Sequence, residues 1–330
     1  MINKEKYKGT FVLIEHHDGE VKEVSFELIR AGIRIASQRH MSVTAVILGE
    51  NVRPLANVAA SYGADRTVIV EDGHLADYTV EYYTHAVCEL IRQYEPDTFL
   101  FGATPMGREL ASRVSARVGT GLVTEAIAFE DDEEHNDLLM INTAAGADSV
   151  CKIRCTNTRP QIATVACGVF EKNCQTLSAR AIVDTPVVDF SRVDAPLMPC
   201  RIEETNHREA HLDKADTVIC AGRGIASEDL DQLREYAKEH HAAFAVTRPI
   251  VECGLASKEE MLGISGHSIA PKRFVAFGVS GSIQLLSAVR AGYIVSVNVD
   301  ADAPLMKMAD CAIACDYREI LRRNERFFAL

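Results

Sequence analysis

The sequence predicts an α/β protein of two domains, each built on a largely parallel sheet with helices against its faces. Three observations predict it. Short β-branched runs alternate with amphipathic stretches of helical length, which is the pattern of strands and crossover helices. The alternation occurs twice, on either side of a looser interval that contains Pro186, Pro196 and Pro199. The chain is 330 residues long with 47% apolar side chains, too long for one small core and sufficient for two.

In the first domain, residues 10–15 read as the opening strand. Leu28, Ile29, Ile33 and Ala36 then recur at helical spacing within 25–37. Residues 43–48 give the next strand, 55–62 a helix ended by Gly63, and 67–70 a third strand. A long helix spans 80–94 until Pro96 stops it, and 98–102 is the fourth strand. A helix over 108–118 ends at Gly119. Strand-like runs at 121–130 and 138–145 flank Asp131, Asp132, Glu133 and Glu134, expected as a solvated hairpin tip, and 160–168 adds a strand.

Between 185 and 216 the pattern loosens. The boundary is expected near 190–212, giving domains of 1–200 and 201–330. Beyond it, 217–221 is a strand entering Gly222-Arg223-Gly224, and a helix starts near Ser227, whose hydroxyl is placed to cap it. Strands at 242–246, 274–278, 294–299 and 312–315 and helices at 283–290 and 318–328 make this domain doubly wound.

Ligands of such sheets bind outside the carboxyl ends of the strands. There the second domain is glycine-rich and polar. Gly222 and Gly224 permit close backbone approach, and Arg223 offers a planar cation. Ser280-Gly281-Ser282 precedes the helix opened by Ile283, so hydroxyls and free N–H groups can face a pyrophosphate. Asn298 and Asp316 end later strands, where they can read ribose or adenine. Thr247-Arg248-Pro249 follows a strand, and the proline favours an extended Arg248 that projects its guanidinium from the sheet edge or into a surface ion pair. The loop Leu262-Gly263-Ile264-Ser265-Gly266-His267 can lay donors along a flat heterocycle. The G-x4-G-K-[ST] pattern is absent, and Gly222-Arg223-Gly224 lacks the third glycine of the usual dinucleotide motif.

A net charge of −12 argues against nucleic acid as a partner. No stretch has the apolar length of a signal peptide or a membrane span, so a cytoplasmic protein without membrane insertion is expected. The ten cysteines are dispersed. Cys151 with Cys155, and Cys311 with Cys315, are four apart in strand-like runs, about 13 Å along a strand and too far to share one metal. His16-His17 and His240-His241 read as solvated or capping groups.

The order of segments resembles the alpha subunit of electron-transfer flavoprotein, including its FixB-like branch: G-R-G-I, T-R-P-I-V-E-C-G, G-I-S-G-H-S-I-A-P, F-G-V-S-G-S-I-Q and N-V-D-A-D-A-P, then Asp316. Gly102 to Leu122 also resembles the first domain of that family, so the likeness spans nearly the whole chain. It implies a nucleotide-hydrolase-like first domain and an FAD-binding second domain. It also implies a beta-subunit partner carrying AMP or another FAD, and electron exchange with acyl-CoA dehydrogenase or a related flavoprotein, an electron-bifurcating complex being one of the assemblies the family forms. By the same resemblance Arg223, Ser280, Gly281, Ser282, Ile283, Gln284, Leu285, Asn298 and Asp316 hold the dinucleotide. Arg248 lies against the isoalloxazine and the Ser265 hydroxyl approaches N5, with Thr247, Leu262, Gly263 and Ile264 also among the cofactor-binding residues.

The departures are specific. Histidine usually stands where this chain has Leu285, glutamine where it has Ile264, and lysine where it has His267. Loss of the histidine donor implies that the anionic semiquinone of the flavin is less stabilised here than in relatives with histidine. The alternatives are a nicotinamide-dependent dehydrogenase, for which no well-placed His, Tyr or Lys is found, and a nucleotide-binding regulatory protein on the same fold.

Overall fold

A computed structural model describes residues 2–143, 150–171, 175–176, 182–194, 212 and 215–323. The chain divides into two compact units, 1–203 and 204–330; residues 195–211, within the interval expected to hold the boundary, lie outside the described residues.

The first unit is organised by a seven-stranded parallel sheet. Its strands run, edge to edge, Val183–Asp184, Arg66–Glu71, Val43–Gly49, Thr10–Leu13, Thr98–Gly102, Gln161–Val165 and Leu122–Ala126. Val43–Gly49, Thr98–Gly102 and Gln161–Val165 are buried at every position, which is why apolar residues fall on both faces of each and do not alternate strictly with polar ones. Successive side chains still serve opposite layers. Val12, Ala45 and Ile47 join Leu28, Ile35 and Ala59 from the helices Glu23–Arg39 and Leu55–Ser61. Phe11, Leu13, Val46 and Leu48 join Tyr83, Val87, Leu110 and Val114 from Val80–Tyr94 and Pro105–Val118. A separate antiparallel sheet orders Val150–Arg154, Asp137–Thr143 and Ala128–Asp132; positions 144 and 145 of the expected strand lie outside the described residues.

Three readings of this unit change. The helix expected at 108 begins at Pro105, because the Thr104 hydroxyl accepts the Gly107 N–H at 2.9 Å and proline suits the first turn. The acidic run is not wholly a solvated tip. Asp131 pairs with Arg39, and Asp132 with Arg154 at 2.6 Å and His135 at 2.9 Å, leaving Glu133 and Glu134 exposed at the turn. His16 is only partly solvated and is not a cap, since its Nε2 meets the Leu48 carbonyl at 2.8 Å.

The second unit is a six-stranded parallel sheet ordered Met261–Leu262, Ala243–Thr247, Thr217–Ala221, Arg273–Phe277, Tyr293–Asn298 and Cys311–Ala314. One face packs against Leu230–Glu239 and Tyr317–Arg323. The other packs against Leu285, Leu305 and the segment around Ile269. Ser227 does not cap the helix after the first strand. It opens a 3-10 turn, Ser227–Asp229, and its hydroxyl donates to Glu228 at 3.3 Å, so the helix starts only at Leu230. The helix expected over 283–290 is a single turn, Ile283–Leu286. The chain leaves it because the Ile269 N–H donates to the Ala288 carbonyl at 2.8 Å and the Arg290 N–H to the Ile269 carbonyl at 2.9 Å, a pairing that competes with further helix. Of the expected closing helix, 324–328 lie outside the described residues. No helix among the described residues is long and apolar enough to cross a membrane.

Candidate functional site

The sheet of the second unit changes direction of winding between Thr217–Ala221 and Arg273–Phe277, and a ligand crevice belongs above that junction. There the two outgoing loops touch backbone to backbone. The Gly222 N–H donates to the Phe277 carbonyl at 2.8 Å and the Gly224 N–H to the Gly278 carbonyl at 3.1 Å. A Cβ on Gly222 would overlap the Gly278 carbonyl, and Gly278 itself has φ +61°. Beside this junction a cleft of about 280 Å³ is lined by Arg223, Gly224, Asn298, Val299, Asp316 and Tyr317, among others.

The second loop is held open by its neighbours. Gly281 has φ +85°, and a Cβ there would lie 2.6 Å from Leu305, whose N–H donates to the Ser280 carbonyl at 3.1 Å. Asn298 donates from Nδ2 to the Val279 carbonyl at 3.0 Å and accepts the Asp300 N–H at 3.1 Å, so it ties the cleft wall to the loop that precedes Ser280. Ser280, Ser282, Ile283 and Gln284 are exposed. The first helical N–H groups, of Ile283 and Gln284, have no acceptor among the described residues. A glycine-backed loop with free donors and two hydroxyls is a cradle for a dinucleotide pyrophosphate, and these residues fit one. Leu285 differs. Its side chain is 4% exposed in the apolar cluster with Phe274, Val279 and Leu305, so only its main chain faces a ligand. Leu262 is likewise buried.

On the other side of the junction, Arg248 is not extended as the following proline suggested. Thr247 takes the extended conformation and Arg248 opens the short helix Arg248–Glu252, where Pro249 needs no donor. Its Nε donates to Glu252 Oε1 at 2.7 Å. Next to it, Gly263 has φ +130° and accepts no side chain easily, the Gly263 N–H donates to the His267 carbonyl at 3.2 Å, and the Ile264 N–H donates to the Gln284 carbonyl at 3.1 Å. The last bond joins the 262–267 loop to the pyrophosphate cradle. Ile264 and Ser265 are exposed at its tip.

Sequence reading missed the far wall of the cleft. Tyr317 and Arg318 line it directly after Asp316, and Asp316 Oδ1 accepts the Arg318 N–H at 2.9 Å. The Tyr317 hydroxyl donates to Asp229 Oδ2 at 2.6 Å and accepts the Ala226 N–H at 3.2 Å, while Arg318 Nε donates to Asp229 Oδ2 at 2.7 Å. These bonds, the tyrosine's first, hold the Asp229 carboxyl below its usual range. Burial and then Asp229 push the Tyr317 phenol up. The adjacency of the two residues to Asp316 was the available signal.

The crevice of the first unit is filled by its own side chain. Glu15, fully buried, accepts the Thr104 hydroxyl at 2.8 and 2.9 Å at the start of Pro105–Val118, and burial raises its carboxyl above the usual range.

The description "Electron transfer flavoprotein domain" matches residues 10–191, and "Electron transfer flavoprotein FAD-binding domain" matches residues 211–290. The chain belongs to the electron-transfer flavoprotein alpha-subunit family. It is similar to the electron transfer flavoprotein subunit alpha of Clostridium acetobutylicum, 32% identical over 325 residues, covering 97% of this chain and 96% of that one. It is also similar to protein FixB of Clostridium saccharobutylicum, 33% identical over 322 residues at 97% and 96% coverage. A third relative is the lactate dehydrogenase (NAD(+),ferredoxin) subunit LctC of Acetobacterium woodii, 33% identical over 328 residues, covering 97% of this chain and 77% of that one. An electron-transfer flavoprotein alpha subunit carries electrons on FAD, and the FAD-binding match falls on the unit that contains the cradle.

Proposed function

We propose that this alpha subunit pairs with an electron-transfer flavoprotein beta subunit in the cytoplasm and passes electrons from an acyl-CoA dehydrogenase or related flavoprotein dehydrogenase through FAD held in residues 201–330. The observation that carries the reading is the joining of three segments by main-chain bonds: 222–224 to 278, and 264 to 284. A dinucleotide has the length to follow that path. Arg223, Asn298 and Asp316 take the adenosine end, and the Ser280–Leu285 segment takes the pyrophosphate through its N–H groups and hydroxyls. Thr247 and Arg248 lie against the ring, with Leu262, Gly263, Ile264 and Ser265 along its edge and the Ser265 hydroxyl near N5. FAD supplies a reversible electron store. Arg248 supplies a cation that favours its anionic reduced forms and raises the potential.

Residues 1–200 serve as the platform for the beta subunit. The internal carboxylate at the first crevice supports this over a regulatory nucleotide site, because Glu15 already occupies the helix start that a phosphate would use. The test is co-purification with the beta subunit and a count of flavin and nucleotide per complex. One FAD per alpha chain, with AMP or a second FAD on the partner, is expected. Colourless protein that binds a nicotinamide nucleotide instead would favour the dehydrogenase reading.

Leu285 gives a second measurement. In Leu285→His the polar imidazole is expected to turn out of the apolar cluster toward the ligand side, where it compensates negative charge on the bound flavin that leucine, held in the cluster, cannot, and so raises the potential. Because position 285 is 4% exposed in an apolar cluster, the variant is also expected to lose about 1–3 kcal/mol of stability in denaturant. Redox titration of both proteins checks the first effect, and an unchanged potential counts against it.

A further inference from the structure

The Arg248–Glu252 pair serves no evident purpose in the helix that carries it. Arg248 is the first residue of that five-residue helix and Glu252 the last. A cation at the first turn and an anion at the last both oppose the helix dipole, and the order is the reverse of the stabilising one. The side chains are 67% and 58% exposed, where an ion pair adds little to folding. Yet the contact is well formed, at 2.7 Å from Nε to Oε1. Because the carboxylate engages Nε, it fixes the guanidinium plane and leaves both terminal nitrogens for a second partner.

We infer that Glu252 is a positioning residue for Arg248, holding the guanidinium at a set angle and offsetting part of its charge, so that the bound flavin has a lower potential than an unpaired arginine would give. This rests on the placement of Arg248 against the ring proposed above. Glu252 touches no part of the cofactor itself; it acts through the arginine. The relevant charge is therefore that of the pair. Excluding water from its vicinity by the ring strengthens the coupling between the two groups beyond its value on an open surface.

Glu252→Gln keeps an oxygen acceptor for Nε and removes only the negative charge. In the assembled alpha–beta complex, with FAD content measured first, this variant is expected to shift the flavin midpoint potential upward, and Arg248→Gln is expected to shift it downward. In the Arg248→Gln background, Glu252→Gln should then lose more than half of its own shift, because the group through which it acts is gone. An undiminished shift in that background would mean that the carboxylate acts on the flavin directly and would overturn the positioning role. A shift with Arg248→Gln but none with Glu252→Gln would also overturn it, while leaving Arg248 at the ring. No shift with Arg248→Gln would refute the placement of the arginine, and the inference with it. Both positions are exposed, so the substitutions leave the core untouched.

Discussion

Replacing Arg159 with leucine is expected to cost the first unit about 3–5 kcal/mol, because it leaves buried carboxylates without their main partner. The Arg159 side chain has no exposure. Its Nε donates to Asp97 Oδ1 at 2.7 Å and its Nη2 to Asp137 Oδ1 at 2.8 Å, with those two carboxylates 2% and 0% exposed. The remaining donors are also used. Nη1 reaches the carbonyls of Cys155 and Thr158 at 3.0 Å each, and Nη2 the carbonyl of Asn136 at 2.8 Å. Leucine fills part of the volume and satisfies none of these five acceptors. Lys4, 2.6 Å from Asp137, and Arg39, 3.5 Å from Asp97, retain some compensation, which keeps the loss within that range.

The network ties together the strand that starts at Thr98, the hairpin strand Asp137–Thr143 and the strand Gln161–Val165, where Gln161 Oε1 accepts the Leu138 N–H at 2.8 Å. Hydrogen exchange at the amides of Thr98–Gly102 and Gln161–Val165 therefore reads the loss directly. Protection should fall by roughly 100-fold or more in Arg159→Leu. Arg92→Ala, which removes an exposed pair with Glu89, should leave the same amides nearly unchanged. Equal protection in wild type and Arg159→Leu would show that the buried pairing is not what stabilises this unit.

None of that network could be read from the sequence. Lys4 and Asp137 are far apart in the chain, as are Asp97 and Arg159, and no local pattern links them. What was legible is what local physics controls. The largely apolar runs at 43–49 and 98–102 announce strands covered on both faces, and the spacing of Leu28, Ile29 and Ala36 announces the helix that precedes the first of them. Tertiary contacts decided the rest. Leu285, Leu286 and Val289 have helical spacing, but the backbone of Ile269 competes for Ala288 and Arg290 and wins. The proline after Arg248 signals extended backbone, but at the second helical position its missing N–H costs nothing, and Thr247 becomes the extended residue instead.

The candidate site divides in the same way. Glycines and serines after strands mark its location, since a doubly wound sheet puts ligands there whatever the residues. Their individual tasks need the coordinates. Asn298, expected to read the ligand, also spends its amide on Val279 and Asp300, and so shapes the wall it belongs to. For Tyr317 and Arg318 the sequence offers only their adjacency to Asp316, since an aromatic and a cation at the start of a helix are ordinary; the shared bonds to Asp229 fix them on the cleft.

Gly222→Ala is expected to remove most of the FAD from the purified protein and to weaken rebinding by about tenfold or more. The position has no positive φ to defend, so the reason lies in space and not in backbone preference. An added Cβ would overlap the Gly278 carbonyl and crowd the Val279 backbone, all main-chain atoms that cannot swing aside as a side chain would. Relief requires the loop after Thr217–Ala221 to part from the loop after Arg273–Phe277, breaking the Gly224 N–H bond to the Gly278 carbonyl. Those two loops carry Arg223 and Ser280 on to the proposed adenosine and pyrophosphate positions, so a shift of a few tenths of an ångström misaligns donors at both. Ser227→Ala, in the same connection but on an exposed side chain that among the described residues bonds only Glu228, should keep its flavin. Fluorescence titration of FAD into the apoprotein measures the effect, and far-UV circular dichroism separates lost binding from lost fold. A Gly222→Ala protein with a full complement of flavin and unchanged affinity would show that the junction tolerates separation, and the path proposed for the dinucleotide across it would have to be abandoned.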